Sequence, residues 1–169
     1  MSEARIVALV GNPKPGSRTR DAAERLARGL GSEGSVIELS EFGAALLDWT
    51  DARVRAAIDT VAEADVLIVA SPTFKATYTG LLKLFLERFP GQTGLAGVVG
   101  IPLMLGAAPT HAMAPEVHLK PLLVEIGTTC PAPSLYLIDS TYRDDGVLEA
   151  WLDRWRAVVL RGVGGRERP

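Results

Sequence analysis

Between the apolar run Arg5–Val10 and a helix-length segment beginning at Thr19 lies Gly11-Asn12-Pro13-Lys14-Pro15-Gly16-Ser17-Arg18-Thr19. Glycine, proline and hydroxyl residues at a helix start leave backbone N–H groups and side-chain donors free for an anion, and the helix dipole favours negative charge there. The first thirty residues carry six Lys+Arg and three Asp+Glu, a local net of +3, in a chain whose overall balance is −2. The spacing Gly, four residues, Gly matches a nucleotide P-loop, but Ser17-Arg18 stands where Lys-Ser/Thr would cradle β/γ-phosphates and magnesium. This disfavours an ATPase or kinase. Pro13 occupies the second glycine position of a dinucleotide fingerprint, which disfavours a tightly held dinucleotide. The loop suits a terminal monoester phosphate, with Ser17, Thr19, Arg18 and backbone N–H as donors. Read structurally, it is a Gly/Pro turn with a hydroxyl helix cap.

The elements that must hold this loop follow from the apolar runs. Arg5–Val10, Ser35–Leu39, Val66–Ala70, Val98–Leu105 and Leu135–Ile138 are continuous, as in parallel strands buried on both faces. Helical spacing is predicted over Thr19–Leu30, Asp51–Ala64, Thr79–Phe89, Glu116–Ile126 and Gly146–Leu160. Five alternations predict a doubly wound α/β domain, a five-stranded parallel sheet with helices on both faces. Five strands fit the flavodoxin-like order 2-1-3-4-5 better than the six-stranded dinucleotide fold, although the order itself is not readable from the apolar runs. A ligand would then sit beyond the strand C-termini. One such domain is expected over residues 1–160, with 161–169 a flexible tail.

Composition excludes other classes. In 169 residues, 22% charged and 47% hydrophobic, the balance is that of a globular domain. A net charge of −2 provides no general footprint for nucleic acid or an anionic membrane. One Cys and two His supply neither an internal disulfide nor an ordinary zinc cage, and no metal site is expected. The longest apolar stretch, Leu95 to Ala108, is too short to span a bilayer, and the N-terminus lacks a signal-peptide pattern, so a cytoplasmic location is expected.

After the third strand the sequence reads Ser71-Pro72-Thr73-Phe74-Lys75-Ala76-Thr77-Tyr78-Thr79-Gly80-Leu81-Leu82-Lys83. This closely resembles the second flavin-binding loop of the NAD(P)H-dependent FMN reductases of flavodoxin-like fold, with the pattern Pro-x-Tyr-Lys-x-x-Tyr-x-Gly-x-Leu-Lys. The nearest subgroup is similar to the sulfonate-utilisation (sulfate-starvation) FMN reductases. Gly106-Ala107-Ala108-Pro109-Thr110-His111 and Leu119-Lys120-Pro121 resemble the third loop and fourth helix of that family. The resemblance covers about the first 125 residues. It implies that Ser17, Arg18 and Thr19 hold the FMN phosphate, and that Pro72, Thr73, Phe74, Lys75 and Tyr78 line the ribityl chain and ring. Gly106, Ala107, Ala108 and His111 would close the other side. Phe74 departs from the family tyrosine, Ala107-Ala108 from a more Gly-rich turn, and Val117 from an aromatic or His in some members.

The resemblance implies hydride transfer from NADPH or NADH to FMN, chemistry that needs stacked rings more than a protein acid or base, so no catalytic side chain is expected. Reduced FMN would be supplied to a partner monooxygenase. A quinone or azo reductase with tightly bound FMN and a flavodoxin-type electron carrier are the other readings. Lys75 would attract the NADPH 2′-phosphate or the flavin's developing charge, or stand solvated; His111 is a loop residue or cap before it is a proton donor. Cys130 is expected to be a small buried residue. Trp151 and Trp155 share a face for the core or a subunit contact. The apolar helix Thr79–Phe89, with the family resemblance, implies a homodimer or homotetramer through helices three and four.

Overall fold

The computed structural model describes residues 4–163. Five parallel strands, β1 (Ile6–Val10), β2 (Ser35–Glu38), β3 (Val66–Pro72), β4 (Val99–Gly106) and β5 (Leu135–Ile138), form one sheet in the order β2-β1-β3-β4-β5. The expected topology is therefore the observed one. Every residue of β1, β3 and β4 is buried, which is why these segments read as unbroken apolar runs. Alternate residues supply two cores: Ile6, Ala8, Val10, Ile68 and Ile101 face one side, Val7, Leu9, Leu67 and Val69 the other.

The first core is covered by α1 (Arg18–Leu30) and α5 (Val147–Gly162), and the second by α2 (Ala52–Ala62), α3 (Gly80–Leu86) and α4 (Lys120–Glu125). Trp151 is buried and donates from Nε1 to the Pro133 carbonyl at 2.9 Å, while Trp155 packs partly buried on the same core. Both therefore serve the first core. Gly31 closes α1 in a left-handed conformation, φ 106°, as its type anticipates.

The helix bounds differ from the expected spans, α1 and α2 by one or two residues at an end and the other three as follows. α3 stops at Leu86 rather than Phe89, because Pro90 disfavours helical backbone at the residue before it. The chain instead tightens into three-residue bonds, Arg88 N to Phe85 O and Phe89 N to Leu86 O, and the Phe85 and Phe89 rings still meet edge to face at 5.8 Å. The fourth helix opens with a π turn at Pro115–Leu119, in which the Lys120 N–H reaches back to the Pro115 carbonyl. Pro121 lacks the N–H that a regular helix would return to Val117. α5 runs through Gly162, past the expected start of the tail at 161; residues 164–169 of that tail lie outside the described residues, as do residues 1–3. Two short 3-10 turns, Leu39–Glu41 and Gly43–Leu47, fill the connection to α2 where no element was expected.

Register brings the functional loops together. Val10 of β1 lies beside Ala70 of β3, and Pro72 of β3 beside Leu105 of β4, so three strands end at one edge of the sheet. The chain reverses its direction of growth between β1 and β3. That is where doubly wound sheets open a crevice.

Candidate functional site

The first loop is built from its own side chains. Asn12 Oδ1 accepts from the Lys14 N–H at 2.9 Å and its Nδ2 donates to Thr19 Oγ1 at 3.0 Å, which folds the proline-containing turn over the start of α1. Ser17 is the helix cap: its Oγ accepts from the Arg20 N–H at 3.3 Å. Capping and anion binding use different parts of this hydroxyl, since the cap takes a lone pair and leaves the proton to donate. The same holds for Thr19, whose oxygen accepts from Asn12. Among the described residues, the backbone N–H groups of Ser17, Arg18 and Thr19 have no protein acceptor. This is the arrangement of an anion cradle on a helix of thirteen residues.

The local positive charge is smaller in space than along the chain. Arg20 is drawn away from the loop, donating to Glu24 at 2.8 Å and to Glu38 at 2.7 Å, and Arg25 lies 3.9 Å from Asp21. Glu38, at the end of β2, is buried and also accepts the Gly16 N–H at 3.0 Å, so one carboxylate ties both the loop and the arginine. Lys14 and Arg18 remain as the cations lining the crevice.

The second loop is pinned to the first through Thr79. Its Oγ1 caps α3 by accepting from Leu82 N at 3.1 Å and donates to the Gly11 carbonyl at 2.6 Å. Ser71 Oγ in turn accepts the Thr79 N–H at 3.1 Å. Gly11 is required for this approach, because a Cβ there would lie 2.6 Å from Leu82 Cβ. Beyond Pro72 the chain makes a two-residue hairpin in which Phe74 and Thr77 exchange both backbone bonds and Lys75 and Ala76 have φ of 51° and 68°. This is type I′ geometry. Phe74 is exposed, and its ring joins Pro72 and Leu105 as an apolar wall. Thr73 Oγ1 is buried without a hydrogen-bond partner in the protein.

The third loop leaves β4 at Gly106. The Tyr136 side chain of β5 reaches over that glycine: a Cβ at 106 would stand 1.9 Å from the phenol oxygen, which donates to the Ala108 carbonyl at 2.7 Å. Ala107 and Ala108 are exposed at the rim, as is His111 in a 3-10 turn, Pro109–His111.

Of the sequence-predicted residues, Arg18, Thr19, Pro72 and Phe74 line a crevice of about 290 Å³ together with Asn12, Lys14, Leu105 and Asp139. Ser17 caps α1 beside it, and Thr73 Oγ1 lies near Gly106 at the end of β4. Lys75 lies at the tip of the hairpin, and Tyr78 is half-buried against the second core rather than on the crevice wall. Sequence reasoning missed Glu38, Tyr136 and Asp139. For Glu38 and Asp139 the signal is position, since each closes or directly follows a parallel strand, where the fold places its ligand face, whereas Tyr136 is the second residue of β5 and carries no such signal.

Cys130 is mostly buried beside Thr128, and burial raises its thiol pKa, so it contributes no ready nucleophile. No helix among the described residues is long and apolar enough to cross a membrane.

Similarity to known proteins agrees with this geometry. The chain is 33% identical over 126 residues to an FMN reductase (NADPH) of Escherichia coli strain K12, covering 70% of this chain and 65% of that one. It is 28% identical over 131 residues to the NADH-dependent FMN reductase SfnF of Pseudomonas putida, covering 72% and 70%. The chain thus spans just under two thirds of the length of the E. coli relative. Among solved structures, an NADH:FMN oxidoreductase (EMOB) in its apo form superposes with a TM-score of 0.83 at 34% identity, covering 92% of this chain and 90% of that one. The family described as NADPH-dependent FMN reductase matches residues 4–143, which include all three loops and every strand, and this chain belongs to that family.

Proposed function

We propose that the protein is an NAD(P)H:FMN oxidoreductase that transfers hydride from NADPH or NADH to FMN and supplies reduced flavin to a partner monooxygenase. The observation that carries this reading is the convergence of the first two loops and the ends of β4 and β5 on one crevice at the β1/β3 switch point, with an anion cradle at one end and an apolar wall beside it. The residues fit FMN. Unpartnered N–H groups and the Ser17 and Thr19 hydroxyl protons suit a phosphate, and the orphaned Thr73 Oγ1 suits a polar edge of the ribityl chain or ring. Bound there, FMN supplies the hydride-accepting ring.

The chain's own contribution is positional. Thr79 holds the first two loops at a fixed separation, and Tyr136 holds the Ala108 carbonyl inward so that the third loop cannot collapse. Phe74 supplies, with Pro72 and Leu105, an apolar wall against which a flavin ring would rest. Lys75, at the hairpin tip, would on this reading meet the NADPH 2′-phosphate or the developing charge of the flavin. Ser17, Arg18, Thr19, Pro72, Thr73, Phe74, Lys75, Gly106, Ala107, Ala108 and His111 form the cofactor site on this reading, with Tyr78 supporting from behind. One domain carries it all, and the enzyme acts in the cytoplasm.

A crevice of about 290 Å³ stands at the low end of the ~300–1,000 Å³ typical of small-molecule clefts, which supports a second copy completing the wall. The test is to mix purified protein with FMN and NADPH or NADH and follow loss of nicotinamide absorbance. Turnover with free FMN is expected. No turnover with FMN, FAD or a quinone would sink the enzymatic reading, and tight, non-dialysable FMN with fast quinone turnover would replace it by the quinone reductase.

A further inference from the structure

A carboxylate stands inside this anion site. Asp139 follows β5 directly and lines the crevice with Lys14 and Arg18, its Oδ2 3.5 Å from Arg18 Nη1. Its position is set by the fold. The Asp139 N–H donates to the Gly106 carbonyl at 3.0 Å, tying it to the end of β4. Three and four residues on, the Tyr142 hydroxyl and Arg143 Nε close on Asp21 of α1 at 2.6 and 3.1 Å. The segment is therefore anchored to the end of β4 and to α1.

The ion pair itself does little for the fold. The Arg18 and Asp139 side chains are 63% and 37% exposed, so water screens them and the pair is weak. Glu38 shows the contrast: buried and engaged by both Gly16 and Arg20, it is a structural carboxylate. Asp139 instead faces the same guanidinium that a phosphate would use. A phosphate monoester carries about −1.5 to −2 charge at neutral pH. An adjacent carboxylate both repels it and competes for its arginine.

We propose that Asp139 is an affinity-setting residue: it competes with the flavin phosphate for Arg18 and keeps FMN a dissociable substrate. The inference rests on the FMN-reducing reading and specifies how that site releases its product. Reduced flavin destined for another enzyme must leave, and a competitor built into the site weakens binding without removing any donor. On FMN binding Arg18 turns from Asp139 to the phosphate, and on release it returns.

Flavin fluorescence titrations on the full chain test this, using FMN and riboflavin with wild type, Asp139→Asn, Arg18→Ala and the double variant. Asp139→Asn is expected to tighten FMN on the order of threefold, less at high salt, and to leave riboflavin unchanged. The gain should shrink in the Arg18→Ala background, where direct repulsion of the phosphate remains and the competition for the arginine does not. Asp139→Ser, which also removes the charge, should give the same ordering if the amide disturbs the loop. Weaker FMN binding in both Asp139 variants, equal changes for the two flavins, or a gain undiminished without Arg18 overturns the proposal while leaving the flavin site intact. Wild-type protein that binds neither flavin overturns the FMN reading, and this inference with it.

Discussion

Lys75 and Ala76 hold φ of 51° and 68°, a conformation that costs a residue with a Cβ about 1–2 kcal/mol. Type I′ turns favour Asn-Gly at these two positions. Strain retained at the rim of a crevice indicates that the side chains there serve something other than the turn. Ala76→Gly is therefore expected to stabilise the fold by about 0.5 kcal/mol, the relief being partly offset by the freedom glycine adds to the unfolded chain. A denaturant titration checks it. Lys75→Asn should likewise leave stability unharmed, because asparagine tolerates the left-handed region, yet raise KM for NADPH if the ammonium meets a nucleotide phosphate. An unchanged KM would return Lys75 to the status of a solvated loop residue. Gly106 presents the opposite constraint. Gly106→Ala drives a methyl into the Tyr136 phenol, and the expected result is loss of the Tyr136–Ala108 bond and weaker flavin binding, measured by fluorescence quenching.

Between elements, the longest-range polar contact described joins α1 to the segment after β5. Asp21 accepts from Tyr142 and Arg143 across about 120 residues of chain, 121 and 122 by their separations. Partial burial alone would raise the Asp21 pKa, but the two hydrogen bonds and the arginine charges outweigh it and hold the carboxyl below its ordinary value. Tyr142 is shifted upward by burial and by the Asp21 carboxylate it serves. A carboxyl depressed in the folded state adds stability above its unfolded pKa and loses it as pH falls through the folded value. Wild-type stability should accordingly decline below about pH 4, and Asp21→Asn should flatten that decline, followed by thermal unfolding across the acid range. Tyr142→Phe removes one bond to a charged, partly exposed acceptor and should cost about 1–2 kcal/mol. Such contacts show what could and could not be read from the sequence. Strand boundaries were legible to within a residue or two, because parallel strands buried on both faces leave continuous apolar runs, and Gly31 marked the end of α1; strand order was not, since it rests on pairings between segments far apart in the chain and was expected only from the fit of five strands to the flavodoxin-like arrangement. The first loop was legible because its donors are consecutive. Glu38 and Asp139 were not, since each acts on a residue that only the sheet brings near, and charge summed along residues 1–30 could not register that Glu38 takes Arg20 out of the count. The shortened α3 and the π turn were missed because helical spacing records side-chain faces, whereas Pro90 and Pro121 act on the backbone.

At the scale of the molecule, one protomer leaves large apolar side chains in water along one side. Leu84 on α3 is exposed, and so are Met113, Val117 and Val124 around the π turn and α4. Single exposed apolar residues are ordinary, but these come from the two helices that flank the second and third loops, next to a crevice of small volume. A two-fold pairing of this face with itself would bury all four and bring a second chain to the crevice mouth. That arrangement, a homodimer or a tetramer built from it, is the assembly we propose. Leu84→Glu with Val124→Glu places four like charges in the paired face and should convert the protein to monomers, read by light scattering after size exclusion. Both positions are on the surface, so the fold should persist with an unchanged far-ultraviolet spectrum. The informative measurement is flavin affinity in that monomer. If the partner completes the wall, both FMN and riboflavin weaken together, because the lost contacts are to the ring, whereas the phosphate cradle at α1 is untouched. Wild-type protein that elutes as a monomer, or a monomeric variant that binds both flavins as before, would show that a single copy of the crevice is sufficient.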